Sequence, residues 1–113
     1  MSTRDNFYTL KPDEGWGAHY EFVCDEVPVG EVVLIRYPTH ISVWSLEIYP
    51  EFRRLGHARA MMNSIYALAD HEGHRTVWLR VDKDNTPALT LYQEEGFVVV
   101  EDRGFDLAME RKG

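Results

Sequence analysis

Apolar and polar positions keep one rhythm up to Pro50 and adopt another beyond it. The first rhythm is that of strands, whose successive side chains alternate between two faces. Asn6 to Lys11 is a short candidate, followed by the turn-like Pro12-Asp13-Glu14-Gly15. Trp16 to Cys24 is aromatic and β-branched and breaks at Asp25-Glu26, while Val29 to Tyr37 is rich in valine and isoleucine and stops at Pro38. Ile41 to Tyr49 alternates, which predicts Trp44, Leu46 and Ile48 on one face and Val43, Ser45 and Glu47 on the other. Past Pro50, Leu55, Ala58, Met61, Met62, Ile65, Leu68 and Ala69 follow helical spacing, with Gly73 as the stop. Thr76 to Val81 is a strand again. A second helix starts near Asn85-Thr86-Pro87, where proline suits the first turn, and ends at Gly96. Phe97 to Glu101 and Phe105 to Glu110 form a hairpin around Asp102-Arg103-Gly104.

The predicted order is ββββ-α-β-α-ββ, an α/β (α+β) fold with a mixed, mostly antiparallel sheet. The strand–helix–strand crossover between residues 42 and 81 gives it one parallel pair. With 113 residues and no linker or repeat, residues 1–113 read as a single domain. Trp16, Tyr20, Tyr37 and Trp44 either line an open surface of the sheet or belong to its core, to which most are assigned. The Met61-Met62 pair falls on the helical stripe and reads as core packing.

Composition narrows the function classes. Apolar content of 44% and charged content of 27% are those of an ordinary globular protein. The longest apolar runs, Val32 to Ile35 and Phe97 to Val100, are far too short to span a bilayer, and no secretion signal opens the chain. One cysteine, Cys24, excludes an internal disulfide and reads as a small strand residue; the expected compartment is the cytoplasm. A net charge of −7 argues against a nucleic-acid binder and suits a basic acceptor. His71 and His74 are spaced like metal ligands, but Glu72-Gly73 between them marks a helix end and no third ligand is near, so no metal is expected.

Against that acidic background, Arg53, Arg54 and Arg59 cluster where a strand runs through a short loop into a helix. A first helical turn leaves N–H groups without intrahelical partners, and the helix dipole favours anions there. Gly56 lets backbone approach a phosphate, Ala58 keeps the next inward position small, and the arginines add fork-shaped donors. A pyrophosphate suits this junction; the plainer alternative is a loop glycine beside two solvated arginines. On the second helix, Asn85, Ala88 and Tyr92 share one face.

The segment Leu46-Glu47-Ile48-Tyr49-Pro50-Glu51-Phe52-Arg53-Arg54-Leu55-Gly56-His57-Ala58 resembles the cofactor motif of the GNAT acetyltransferase superfamily, a strand followed by Arg/Gln-x-x-Gly-x-Gly/Ala. Asn85-x-x-Ala88-x-x-x-Tyr92-x-x-x-Gly96-Phe97 is similar to the family's second signature at every named position. The resemblance is carried by Ser42 to Phe97, extends to Glu110 and is weak before His40. It implies acetyl-CoA as cosubstrate, with its pyrophosphate on the N–H groups of Arg54, Leu55, Gly56, His57 and Ala58. Its pantetheine arm would lie along Leu46 to Ile48, and Asn85 and Ala88 would hold and accommodate that arm. It further implies a strand pair that splays to admit the thioester, and acetyl transfer to a primary amine by direct attack.

Expulsion of a thiolate needs a proton or hydrogen-bond donor, and Tyr92 is the candidate; its plainer role is a core tyrosine beside Phe97. The incoming amine must lose a proton, for which Glu47 is the first candidate, with Asp82 and His40 behind it; Glu47 also reads as an ordinary sheet-surface carboxylate. Arg80 stands where some family members carry a carboxylate and cannot serve as a base. One departure matters: Lys11 to Trp16 leaves room only for a turn where the family usually has two helices. The acceptor side should then be open, or completed by a second subunit in a homodimer. That openness suits a small amine, a polyamine or a protein lysine. It suits equally a non-catalytic module that binds coenzyme A or a protein partner.

Overall fold

Seven strands and two helices follow the predicted order in the structure, a computed structural model that describes residues 7–112. The strands are β1 (Tyr8–Pro12), β2 (His19–Cys24), β3 (Val27–Arg36), β4 (Ile41–Ile48), β5 (Thr76–Asp82), β6 (Val98–Asp102) and β7 (Asp106–Lys112). Helix α1 spans His57–His71 and α2 spans Thr86–Glu94. They form one sheet in the order β1-β2-β3-β4-β5-β7-β6, antiparallel everywhere except between β4 and β5. That parallel pair is the one the crossover required, since α1 carries the chain from one strand to the next.

Helices α1 and α2 lie side by side on one face of the sheet. Met61, Met62 and Ile65 of α1 and Tyr92 of α2 share a core with Phe22, Val32, Leu34, Leu79 and Met109 of the strands. Cys24 is buried in the same core, consistent with a small strand residue. Arg59 of α1 meets Glu94 and Glu95 at the end of α2, and Arg111 of β7 donates to the Glu95 carbonyl at 2.8 Å. The opposite face of the sheet carries no helix among the described residues, because the β1–β2 connection is only a turn.

Two expectations fail for that reason and for one more. Tyr20 is core, but Trp16, Tyr37 and Trp44 are exposed, since the face they occupy has no covering layer. Strand β4 also breaks its own alternation. Val33 and Leu34 are neighbours in β3 yet oppose Ser45 and Val43, so Trp44 is the extra residue of a β-bulge. The bulge shifts the two-residue period by one place. Ile41 and Val43 are buried before it, Leu46 and Ile48 turn to the helix side after it, and Trp44 is 61% exposed. Val43 therefore does not share a face with Glu47, nor Trp44 with Leu46.

No helix among the described residues is long and apolar enough to cross a membrane. No group of three or more metal-ligating side chains is assembled among them either.

Candidate active site

The parallel ladder between β4 and β5 has only three rungs: Ile41–Val77, Ser42–Trp78 and Val43–Leu79. Beyond Val43, β4 stays paired with β3, and beyond Leu79, β5 stays paired with β7. The two strands therefore part, and the edge of Leu46 to Ile48 toward β5 has no strand partner among the described residues. An extended amide-bearing chain could pair with such an edge as an added strand does.

A groove of about 560 Å³ starts in this gap on the helix side. Its walls are the end of β4 (Leu46, Glu47, Ile48), the start of α1 (Arg53, Arg54, Gly56, His57, Ala58) and one face of α2 (Asn85, Ala88, Tyr92). Both sequence constellations thus line one continuous surface, although some thirty residues separate them. Of the candidate cofactor-binding residues, Leu55 is not on the wall; its side chain is 64% exposed to solvent. Arg59, the third arginine of the cluster, lines the groove as well, and so do Phe52, Pro87 and Leu91, which were not assigned to the site. Leu91 lies one helical turn after Ala88, so spacing alone could have found it.

A 3-10 turn over Pro50–Phe52 bends the chain from β4 into the loop. Gly56 then precedes α1 with φ 84°, a left-handed conformation that glycine adopts without strain. A Cβ built on Gly56 would meet no protein atom within 4 Å, so the space above this peptide is open. Among the described residues, the backbone N–H groups of residues 54–59 have no acceptor; the first amide bonded at this end is Ala60, to the Gly56 carbonyl at 3.2 Å. Free donors at a helix start are the arrangement that favours an anion.

The three arginines of the cluster are not equivalent. Arg53 donates through Nε to the Ile48 carbonyl at 2.8 Å and lies 3.5 Å from Glu47, pinning the loop to the end of β4. Arg59 is held by Glu94 and Glu95. Arg54, itself at φ 65°, has no acceptor among the described residues and leaves its guanidinium at the mouth of the groove. The side chain of His57 points away from the groove floor: its Nδ1 is 3.0 Å from the Tyr8 hydroxyl, in contact with the edge of Phe52. His57 therefore offers its amide to the groove and uses its ring to tie α1 to β1.

On α2, the Asn85 Oδ1 accepts from the Ala88 amide at 3.3 Å and caps the helix, which leaves its Nδ2 free to donate to a ligand. Tyr92 is 8% exposed, packs its ring edge-on against Phe97 at 5.8 Å, and donates to no acceptor among the described residues. Burial pushes its phenol above the ordinary tyrosine range, so it holds its proton at neutral pH. Glu47 is the only carboxylate on the groove wall among the described residues. Of the other base candidates, Asp82 sits at the exposed end of β5. His40 lies on the bare face, stacked on Tyr37 at 4.7 Å.

Solved structures share this architecture. The PaiA N-acetyltransferase of Thermoplasma acidophilum, in complex with coenzyme A, matches with a TM-score of 0.77 at 20% identity, over 84% of this chain and 60% of that one. A GNAT family acetyltransferase from Elizabethkingia anophelis with acetyl-CoA bound matches with a TM-score of 0.74 at 13% identity, over 85% and 77%. The ribosomal-protein-S18-alanine N-acetyltransferase of Escherichia coli matches with a TM-score of 0.74 at 16% identity, over 83% and 67%. The chain thus spans three-fifths of the length of the first of these. At such identities the likeness shows the fold. The sequence pattern of the acetyltransferase (GNAT) family itself matches residues 2–97, most of the chain, and the protein belongs to that family.

Proposed function

We propose that this protein transfers an acetyl group from acetyl-CoA to a primary amine. The observation that carries the reading is the continuity of one groove. It joins unbonded amides at the start of α1, the unpaired edge of β4 and the protonated phenol of Tyr92. Coenzyme A needs these three features in that order: an anion site for its pyrophosphate, an amide edge for its pantetheine, and a proton near its sulfur.

Acetyl-CoA, when bound, supplies an activated acyl carbon and a sulfur leaving group. Leu46 to Ile48 orient the arm through main-chain pairing, and Ala88 leaves it room. The Nδ2 of Asn85 donates to an amide carbonyl. Arg54 adds a mobile cation for a phosphate. Tyr92 gives its proton toward the sulfur as the carbon–sulfur bond breaks, a role in which a positioned acid contributes on the order of 10²-fold or more. Glu47 takes a proton from the incoming ammonium, directly or through water, while Arg53 fixes its position at the groove edge.

Calorimetric titration with acetyl-CoA, using 3′-dephospho-CoA for comparison, tests the reading. Micromolar binding that is lost in Gly56→Val supports it, because valine resists φ 84° and projects into the open space over the helix start. Absence of binding in the folded protein would sink it and favour a protein-interaction role for the bare sheet face.

A further inference from the structure

Behind the gap between β4 and β5, on the face of the sheet without helices, lies a small cleft of about 70 Å³ lined by Ser42, Val43, Trp44 and Arg80. It opens into a shallow groove of about 170 Å³ that shares Ser42, Trp44 and Arg80 and adds Trp78 and His40. This groove is built rather than incidental. The Trp78 indole is fixed by a 2.8 Å hydrogen bond to Glu110, His40 sits over it at 5.5 Å, and Tyr37 stacks on His40. The β-bulge turns Trp44 outward beside them, 61% exposed.

The charges in this groove are uneven. Arg103 is balanced by Asp106 at 3.1 Å and Glu101 at 3.9 Å. Arg80 has no acceptor among the described residues, although the chain carries seven more acidic than basic side chains. A guanidinium that lines one groove with two indoles is suited to a carboxylate attached to an apolar body. An acceptor bearing only ammonium groups, such as a polyamine or a lysine tip, would instead meet a like charge there.

We infer that the acceptor is a free α-amino acid with an apolar or aromatic side chain. Arg80 grips its carboxylate, the Trp44–Trp78 shelf takes its side chain, and its α-amine points into the gap. The inference rests on the acetyl-transfer reading. In the transfer, the amine nitrogen forms a bond to the acetyl carbon as the carbon–sulfur bond breaks. The ammonium loses one proton to Glu47 or water before attack. A second leaves the nitrogen as the amide forms and passes through water to Tyr92, which has given its own proton to the departing sulfur. Arg80 is a specificity-determining residue in this scheme and takes no part in bond making.

The test is quenching of tryptophan fluorescence in the full chain with coenzyme A present, titrated with L-phenylalanine, L-phenylalaninamide and spermidine. Phenylalanine should bind about tenfold or more tightly than its amide, the scale of one charge-assisted pair. Arg80→Gln should erase that preference while leaving affinity for the amide and for coenzyme A unchanged. Equal binding of acid and amide, tighter binding of spermidine, or an unchanged preference in Arg80→Gln would overturn the inference. Acetylation assays separate the two readings. Arg80-dependent binding of phenylalanine without its acetylation keeps the site and removes the transferase reading. Acetylation of spermidine or a lysine peptide in preference to phenylalanine keeps that reading and removes the amino-acid site.

Discussion

Val43 and Leu79 form the last rung between the two parallel strands, and the residue after Val43 is the bulged Trp44. A bulge bends its strand and increases local twist, so the kink falls where β4 leaves β5. The same extra residue turns Leu46 and Ile48 to the helix side, onto the wall of the groove between β4, α1 and α2. One inserted position thus opens the gap and sets which side chains face it.

Trp44→Ala tests the bulge. An exposed indole predicts a stability change of about 0.5 kcal/mol or less, whereas a core tryptophan would cost about 3–5 kcal/mol. Urea unfolding distinguishes the two.

Gly30 is fixed by a close approach. A Cβ there would lie 2.4 Å from the Glu47 carbonyl oxygen and 3.1 Å from the end of Met61. Backbone cannot yield as a side chain can, so Gly30→Ala should destabilise the fold by about 1–3 kcal/mol. Because Gly30 pairs with Ile48 at the groove end of β4, the affinity for coenzyme A should fall as well. Denaturant unfolding and calorimetry read the two effects separately.

Tyr92→Phe should lower kcat by about 10²-fold while the Kd for coenzyme A stays within about twofold, since only the hydroxyl is removed. Glu47→Gln should lower kcat on a similar scale, read from initial rates with acetyl-CoA. Burial raises the pKa of Tyr92, so its acid form persists through neutral pH, and no loss of rate from its ionisation should appear below about pH 10. Tyr49 is likewise pushed up, to about 12, by burial and by Glu31. For groups raised in this way, the stabilisation is complete below the unfolded tyrosine pKa and is lost as pH rises through the folded values. Thermal unfolding should therefore show declining stability above about pH 10.

Arg36 at the end of β3 holds Glu72, the C-cap of α1, through bonds of 2.7 and 2.9 Å. The hydrogen bond from Arg36 depresses the Glu72 pKa below its reference 4.5. Its contribution is present above the unfolded pKa and is lost as pH falls through the folded value. Glu72→Gln should cost at most about 1 kcal/mol at pH 7, because the pair is partly exposed. The difference from the unmodified protein should shrink as pH falls below the unfolded value and Glu72 takes up its proton, which Tm values measured down the acid range would reveal.

The elements were legible wherever a local rule decided them. Met61, Met62 and Ile65 announce the buried stripe of α1, and Asn85-Thr86-Pro87 announces the start of α2. The faces of β4 were not legible, because a bulge adds one residue with no residue type that marks it. The exposure of Trp16, Tyr37 and Trp44 was hidden too: an aromatic residue reads as core until the layer above it is known to be missing. Within the site, Gly56 and Tyr92 stood out through spacing, whereas the tie between Tyr8 and His57 spans forty-nine positions and follows no pattern.

By itself, the sequence determined the order of strands and helices, the single parallel crossover, the glycine at the start of α1 and the polar face of α2. Each depends on contacts within a few residues, where periodicity, capping and backbone freedom act. Tertiary structure alone decided that Arg53 and Arg59 are bound by neighbouring groups while Arg54 and Arg80 have no acceptor among the described residues. It also decided that two motifs far apart in the chain wall one groove, and that the other face of the sheet lies open. Those are outcomes of strands and helices meeting in space, where the partner of a charge and the cover of a ring come from residues that the local pattern never sees.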